Sequence, residues 1–258
     1  MKILGIDLGS RYVKLVIMQD NRIIYKGKWD TVKFYRDFCE NNGKLFINLE
    51  KMGIEEVDKI VATGYGRNNM NINKAVIIPE LKAHVFGAIF QTGTDTFVLL
   101  DMGGQDTKIV EVVKGKIMDI LLNDKCAASC GRYLENMANI LNMSIDELSE
   151  YYKEPVILDS TCAVFGESEL IGKISEGYPI ERLAAGVNYS LFKRVKTLIQ
   201  KYRLKTLIFS GGVALNKAVL HFIKEETFFE NIIVPEDTVF NGALGCCYYV
   251  IKEGSLNE

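Results

Sequence analysis

Apolar residues along this chain follow two alternating patterns. Short apolar or β-branched runs that end at glycine or polar residues are typical of buried strands, whereas a spacing of three and four residues is typical of amphipathic helices. The segment 126–142 shows the second pattern, with Leu134, Met137, Ala138 and Leu141 on one face. Because the two patterns alternate from end to end, the sequence predicts an α/β fold.

The predicted elements cover most of the chain. Strands are predicted at 2–7, 14–18, 22–26, 59–62, 96–101, 107–113, 116–121, 204–209 and 232–234. Helices are predicted at 31–42, 45–52, 79–91, 126–142, 161–176, 179–202 and 242–251.

One order of features occurs twice. A buried strand ends at an Asp-x-Gly sequence and is followed by a hairpin, first from Asp7 and again from Asp101. We therefore expect two related βα domains, residues 1–92 and residues 93–258, with the boundary near Thr92-Gly93-Thr94. The closing helix is expected to return to the first domain.

Composition narrows the class of protein. With 258 residues, 48% of them hydrophobic, the chain can bury a large core. A net charge of −2 offers no basic surface for nucleic acid or an anionic membrane. No apolar run approaches the ~20 residues of a membrane span, and the first run reaches Asp7 too early for a signal-peptide core. We expect a cytoplasmic protein with no nucleic-acid or membrane partner.

Three loops, each after a buried strand, have the pattern of a nucleotide site. They are Asp7-Leu8-Gly9-Ser10, Asp101-Met102-Gly103-Gly104 and Ser210-Gly211-Gly212. Carboxylates can hold Mg²⁺ through its water shell, and glycines let backbone N–H groups approach phosphate oxygens. One such loop is weak evidence, but three in this order favour a nucleotide site. No Gly-x-x-x-x-Gly-Lys-Ser/Thr sequence occurs, which disfavours the P-loop class.

The six cysteines fall into two groups. Three lie in apolar surroundings and are interpreted as buried small side chains, namely Cys39, Cys246 and Cys247. Cys126, Cys130 and Cys162 have small, polar and glycine-containing neighbours. In a reducing compartment such cysteines more often bind metal or do redox chemistry than form disulfides. Since a nucleotide site needs no thiolates, the pattern indicates a second role, such as holding an iron–sulfur cluster.

The three loops resemble the two phosphate loops and the adenosine loop of the actin, Hsp70 and hexokinase superfamily. Further sequences narrow the resemblance: Thr63-Gly64-Tyr65-Gly66-Arg67, Asp101-Met102-Gly103-Gly104-Gln105-Asp106, Asn123-Asp124-Lys125-Cys126-Ala127-Ala128, Ser160-Thr161-Cys162, Glu167-Ser168-Glu169 and Gly211-Gly212-Val213-Ala214. Together they are similar to the ATP-dependent activators of 2-hydroxyacyl-CoA dehydratases, in the family that also includes benzoyl-CoA reductase ATPase subunits. The similarity extends from Lys2 to about Tyr249.

The resemblance implies an actin-like ATPase fold with a nucleotide cleft between the two subdomains. It implies that Asp7 and Asp101 organise Mg²⁺ and that Gln105 and Asp106 position the attacking water. The implied nucleotide-binding residues are Gly9, Ser10, Lys14, Gly103, Gly104, Ser210, Gly211, Gly212 and Asn216.

The resemblance also implies a homodimer with one 4Fe–4S cluster between its subunits, held by Cys126 and Cys162 of each chain. A helix N-terminus lowers the pKa of a cysteine and favours the thiolate that binds iron. Because two cysteines cannot complete a four-thiolate site, a two-fold axis would supply the other two. Reduced ferredoxin or flavodoxin is implied as the electron donor, and a separate iron–sulfur dehydratase or reductase as the acceptor.

Two positions depart from the family pattern. Ser129-Cys130 stands where the family usually has Gly-Thr, and on a helix Cys130 would share a face with Cys126. A further ligand, a redox thiol and a passive small residue are all open for Cys130. Lys82 stands where the family usually has a cysteine; His84 matches, and is interpreted as structural.

Two other functions remain open. A sugar or small-molecule kinase of the same superfamily would use the three loops but would not need Cys126 or Cys162. It would also need an aspartate base, which the sequence does not place. A redox-sensing regulatory ATPase would keep the cluster but would have no electron-accepting partner.

Overall fold

The computed structural model describes residues 1–41, 45–54, 56–68, 70–71, 75–123, 130–159 and 163–254. The chain forms two compact units. Unit 1 contains Met1–Thr94 and Val239–Glu258, and unit 2 contains Asp95–Thr238.

The strands of the described residues are β1 (Lys2–Leu8), β2 (Tyr12–Gln19), β3 (Arg22–Asp30), β4 (Cys39–Asn41), β5 (Leu45–Ile47), β6 (Lys59–Thr63), β7 (Met70–Asn71), β8 (Val76–Ile77), β9 (Phe97–Met102), β10 (Thr107–Val113), β11 (Lys116–Asn123), β12 (Thr206–Ser210) and β13 (Asn231–Ile233). The helices are α1 (Thr31–Phe38), α2 (Glu80–Thr92), α3 (Gly131–Ile140), α4 (Ile145–Leu148), α5 (Ala163–Ser175), α6 (Ile180–Ile199), α7 (Lys217–Glu226) and α8 (Asn241–Gly254).

Unit 1 is built on a five-stranded sheet with the order β3-β2-β1-β6-β8. The central strand β1 is antiparallel to β2 and parallel to β6. Because successive residues of a strand point to opposite faces, Leu4 and Ile6 pack with Phe34 of α1, whereas Ile3 packs with Leu244 of α8. A small second sheet has the order β4-β5-β7.

Unit 2 repeats this plan with the order β11-β10-β9-β12-β13. All six residues of β9 are buried, and the strand is antiparallel to β10 and parallel to β12. Val98 and Leu100 contribute to a core that also contains Leu134 of α3, Leu191 of α6 and Phe222 of α7. Each unit therefore has a buried central strand with a hairpin on one side and a parallel strand on the other.

Each of the nine predicted strands is present, but in the first half of the chain two predicted helices are wrong in part. The helix predicted at 45–52 is instead β5 followed by a 3₁₀ turn, Glu50–Met52. Pairing of β5 with β4 and β7 decides its structure, because periodicity alone cannot assign so short an apolar run. The helix predicted at 31–42 ends at Phe38, since the next three residues form β4.

The second half of the chain also departs from the predicted helices. The helix predicted from Cys126 begins in the described residues at Gly131, with Cys130 extended at its N-cap, and residues 124–129 lie outside the described residues. The sequence patterns missed α4 and α7. For α7 a signal was present, because the Asn216 side chain accepts a hydrogen bond from the N–H of Val219, as expected of an N-cap.

None of the helices in the described part of the chain is long and apolar enough to span a membrane.

Glycine lets α2 and α8 pack closely in unit 1. A Cβ added to Gly245 would overlap the carbonyl oxygen of Ala83 and lie 2.7 Å from the backbone nitrogen of Gly87.

We expect Gly245→Ala to lower the free energy of unfolding by about 3 kcal/mol, because the two helices must separate. The matched control is Gly172→Ala in α5, where no atom lies within 4 Å of the added Cβ. That change should raise stability by about 0.5–1 kcal/mol in denaturant unfolding. Equal stability of the two variants would contradict this packing.

Candidate functional site

A buried carboxylate ends the central strand of unit 1. Asp7 is 2% exposed and lies opposite Lys14 in the register of β1 and β2. The Nζ of Lys14 is 3.1 Å from Oδ2 of Asp7, so an opposite charge stabilises the buried carboxylate. The predicted residues Asp7 and Lys14 therefore meet through the strand register.

The turn between these two residues brings backbone close to the ion pair. A Cβ on Gly9 would lie 2.6 Å from the carbonyl oxygen of Tyr12 and 3.0 Å from Nζ of Lys14. The hydroxyl of Thr31 donates to the Gly9 carbonyl at 2.8 Å, which fixes the turn to the start of α1. Ser10 is exposed at the tip. Gly9 thus leaves space beside Lys14, and the side chain of any other residue at this position would fill that space.

His84 and Gly242 lie near Asp7 within unit 1. A Cβ on Gly242 would lie 3.0 Å from Oδ2 of Asp7 and 3.1 Å from Nε2 of His84, so all three approach one point. Nε2 of His84 also lies 3.9 Å from Oε1 of Glu80. The sequence matched His84 to the family but gave it no place in the chemistry; the structure places its ring near the Asp7 carboxylate.

Unit 2 repeats the carboxylate and lysine. Asp101 is 2% exposed, and the register of β9 and β10 sets it opposite Lys108. The Nζ of Lys108 is 3.8 Å from Oδ2 of Asp101 and 2.7 Å from Oδ2 of Asp106. Sequence reasoning missed Lys108. The signal was available, since Lys108 follows Asp101 by the same seven positions that separate Lys14 from Asp7.

The turn after Asp101 contacts the start of α3. The N–H of Gly103 donates to the Asp106 carbonyl at 2.9 Å, which closes the turn, and Gln105 is exposed within it. The carbonyls of Gly103 and Gly104 accept hydrogen bonds from the N–H groups of Gly131 and Arg132, at 2.9 and 3.0 Å. Two of the free N–H groups at the start of α3 are therefore satisfied by this turn.

The third loop lies beside the second. Ser210 is opposite Asp101 in the register of β12 and β9. Gly211 has a φ of +86°, and a Cβ there would overlap the carbonyl oxygen of Met102, whereas Gly212 has no atom within 4 Å of an added Cβ. The Ser210 hydroxyl donates to the Thr238 carbonyl at 3.3 Å. Gly212 is thus the glycine with open space, and Gly211 is the one the backbone requires.

Asn216 is buried at the end of this loop. Its side-chain oxygen Oδ1 caps α7 by accepting from the N–H of Val219, and its side-chain Nδ2 donates to Oδ1 of Asn188 at 2.9 Å. Asn188 in turn donates to the carbonyls of Leu148 and Tyr151. Both polar atoms of Asn216 thus have partners within unit 2, and its contact with a nucleotide stays a prediction.

Unit 1 contains a counterpart of the third loop that the sequence reasoning did not include in the site. Thr63 lies opposite Asp7 in the register of β6 and β1, as Ser210 lies opposite Asp101. Gly64 follows with a φ of +94°, and a Cβ there would lie 2.7 Å from the backbone of Leu8. Each of the two loops then continues into a 3₁₀ turn.

These residues fit a magnesium–phosphate group chemically. Each unit supplies one buried carboxylate, a lysine beside it and a glycine turn with accessible backbone. Carboxylate oxygen is a preferred ligand of Mg²⁺, and lysine and backbone N–H groups suit phosphate oxygens.

The two predicted cluster ligands, Cys126 and Cys162, lie outside the described residues. The segments beside them are described. β11 ends at Asn123, and the N–H of Asp159 donates to Oε1 of Glu169 at 2.8 Å. Cys130 is extended at the N-cap of α3, whereas the prediction that it shares a helical face with Cys126 involves a residue outside the described ones.

The remaining cysteines are poor thiolates. Cys246 and Cys247 are fully buried and contact backbone carbonyls, which confirms the prediction for these two, whereas Cys39 is only half-buried and its prediction is wrong in part. Burial raises the pKa of Cys39 to about 11 and that of Cys247 to about 12, and it raises the pKa of Cys246 well above its usual value. All three thiols are therefore protonated near neutral pH.

The two glycines of the third loop should respond differently to alanine. We expect Gly211→Ala to lower the free energy of unfolding by about 1–3 kcal/mol, because of its positive φ and its contact with Met102. Gly212→Ala should leave stability within about 0.5 kcal/mol of wild type, since the added methyl meets no atom. Denaturant unfolding of the unliganded protein measures both. A loss for Gly212→Ala that matches the loss for Gly211→Ala would contradict the described loop.

Known proteins resemble the chain over nearly its whole length. The sequence profile of the BadF/BadG/BcrA/BcrD ATPase family matches residues 4–249. The 2-hydroxyisocaproyl-CoA dehydratase activator of Clostridioides difficile is 35% identical, over 100% of this chain and 98% of the relative.

Two solved structures share the fold. The activator of the 2-hydroxyisocaproyl-CoA dehydratase from Clostridium difficile with bound ADPNP has a TM-score of 0.85 and 32% identity, covering 100% of this chain and 97% of the other. The (R)-2-hydroxyglutaryl-CoA dehydratase component A of Acidaminococcus fermentans has a TM-score of 0.83 and 31% identity, covering 99% of both chains. The predicted actin-like ATPase fold is confirmed. The chain belongs to the BadF/BadG/BcrA/BcrD ATPase family.

Proposed function

We propose that this protein is an ATP-hydrolysing activator that delivers a low-potential electron to a separate iron–sulfur enzyme. The acceptor is a 2-hydroxyacyl-CoA dehydratase or a related reductase, and the donor is reduced ferredoxin or flavodoxin. Membership of an ATPase family and the named activities of its relatives support the proposal. The protein would act in the cytoplasm, as a homodimer.

The nucleotide chemistry is assigned to the strand-end residues. Asp7 and Asp101 would hold Mg²⁺, which would offset the charge of the phosphates. Lys14 adds a positive charge, and the turns that contain Gly9 and Gly103 offer backbone N–H groups to phosphate oxygens. Gln105 and Asp106 position the attacking water. Ser10, Gly104 and the loop from Ser210 to Asn216 complete the proposed nucleotide contacts, in which open Gly212 allows close approach.

One contact supports the proposed coupling between the nucleotide and the cysteines. The carbonyls of Gly103 and Gly104 accept hydrogen bonds from the first N–H groups of α3, which follows the segment that contains Cys126. A Cβ on Gly131 would lie only 3.2 Å from the Gly103 oxygen, so little space separates the turn from the helix. A change in the turn as phosphate is released would therefore reach the start of α3 directly.

Cys126 and Cys162 are proposed to hold one 4Fe–4S cluster together with the same two residues of a second copy. Such a cluster accepts and donates one electron at a potential set by its surroundings. The raised pKa values of Cys39 and Cys247 disfavour these two thiols as ligands. Glu169 holds the N–H of Asp159 and thereby orders the chain just before the Cys162 segment.

Iron content tests the proposed cluster. After anaerobic purification we expect about four irons and four acid-labile sulfides per dimer. Cys126→Ala and Cys162→Ala should each lose them, because each removes two of the four thiolates. Cys39→Ala is the control and should keep wild-type iron. A wild-type protein without iron after anaerobic reconstitution would contradict the cluster and lead to a screen of the chain as a kinase.

Electron delivery tests the proposed coupling. With reduced ferredoxin and a 2-hydroxyacyl-CoA dehydratase, we expect reduction of the dehydratase to require ATP and to stop with ADP. Asp101→Asn should lower ATP hydrolysis and electron delivery together by about 100-fold and keep its iron, because it removes a charge that organises Mg²⁺. Asp95→Asn, an exposed aspartate just before β9, is the matched control. ATP hydrolysis without delivery to any dehydratase or reductase would favour a redox-sensing ATPase.

A further inference from the structure

Lys108 lies between two carboxylates in unit 2. The residue is 6% exposed, and its Nζ is 2.7 Å from Oδ2 of Asp106 and 3.8 Å from Oδ2 of Asp101. Strand register fixes the approach to Asp101, since the two residues are directly opposite in β9 and β10. Asp106, in contrast, lies in the turn before β10, and its carboxylate is a third exposed. Lys108 thus links the side chain of a turn residue to the buried end of β9.

Among the described residues of unit 1, the equivalent lysine has no such second carboxylate. Lys14 also follows its aspartate by seven positions and lies opposite it, but Tyr12 stands where unit 2 has Asp106. The Lys14 side chain is 18% exposed, compared with 7% for Lys108. Lys14 is therefore the more accessible of the two lysines, and Lys108 is the more enclosed.

We propose that Lys108 is a positioning residue for ATP hydrolysis that acts through Asp106 and not by contact with the nucleotide. The inference rests on the ATP hydrolysis proposed above. The turn is closed at one end by the hydrogen bond from the Gly103 N–H to the Asp106 carbonyl. The ion pair with Lys108 holds the Asp106 side chain at the other end. Together they fix the carboxylate that positions the attacking water.

The first test separates catalysis from binding. Lys108→Met keeps the length of the side chain and removes its charge. We expect kcat for ATP hydrolysis to fall about 10- to 100-fold, the loss typical of a misplaced group, with KM for ATP within about threefold of wild type. Lys108→Arg should restore most of kcat, because it restores the ion pair. Lys116→Met on the paired strand β11 is the control, since that lysine is exposed.

A double-mutant cycle tests whether Lys108 acts through Asp106. If it does, adding Lys108→Met to Asp106→Asn lowers kcat by less than about twofold beyond Asp106→Asn alone, since coupled residues are not additive. Losses that multiply would overturn the inference. So would a Lys108→Met variant with wild-type kcat, or one in which only KM for ATP rises, because a nucleotide contact would have that effect.

Amide hydrogen exchange gives a test that does not need ATPase activity. We expect a peptide spanning 103–106 to exchange faster in Lys108→Met than in wild type or Lys116→Met, while the buried strand β9 keeps its protection. Unchanged exchange in the turn would overturn the inference even if kcat fell. A wild-type protein without ATPase activity would contradict the proposed function, and the exchange experiment would then decide only whether Lys108 holds the turn.

Discussion

The buried ion pair at the end of each central strand is the constraint on which this structure depends. A carboxylate that is 2% exposed is costly unless an opposite charge lies beside it. In both units a lysine on the next strand meets this requirement, and it can do so only in one register, since a shift of one residue would turn the lysine to the other face. The strand register of the hairpin therefore places the ion pair, and the ion pair in turn favours that register.

The sequence predicted the fold where hydrophobic patterns were long or repeated, and failed where pairing partners decided. The strands around Asp7 and Asp101 are buried runs ended by glycine, so their positions could be read directly. Leu45–Ile47 is a strand only because β4 and β7 lie beside it, and nothing within those residues indicates it. α7 was missed although Asn216 is a good N-cap, whose side chain accepts a hydrogen bond from the N–H of Val219.

The candidate site was predictable to the extent that its residues lie in sequence motifs. Asp7, Lys14, Gly103 and their neighbours could be named because strand ends and glycines are visible in a sequence. Lys108 could be found only by comparing the two halves of the sequence at equal spacing. Finding Gly64, the counterpart of Gly211 in unit 1, also needs the register of β1 and β6. The extended Cys130 could not have been predicted, because the backbone of Gly103 and Gly104, about 28 residues earlier in the chain, sets where α3 begins.

In the turn at Gly103 and Gly104, the carbonyl and the N–H group of one peptide unit face different partners. Its carbonyls accept hydrogen bonds from α3, so they cannot rotate without breaking contacts at the helix start. The Gly103 N–H already donates to the Asp106 carbonyl. The N–H groups of Gly104 and Gln105 share planar peptide units with the Gly103 and Gly104 carbonyls, and a planar peptide cannot turn its N–H without turning its carbonyl. A phosphate that orients these N–H groups would therefore orient the start of α3 as well. Glycine is suited to such a turn, because a Cβ on Gly103 would lie 3.0 Å from Oδ1 of Asp106 and crowd that side chain.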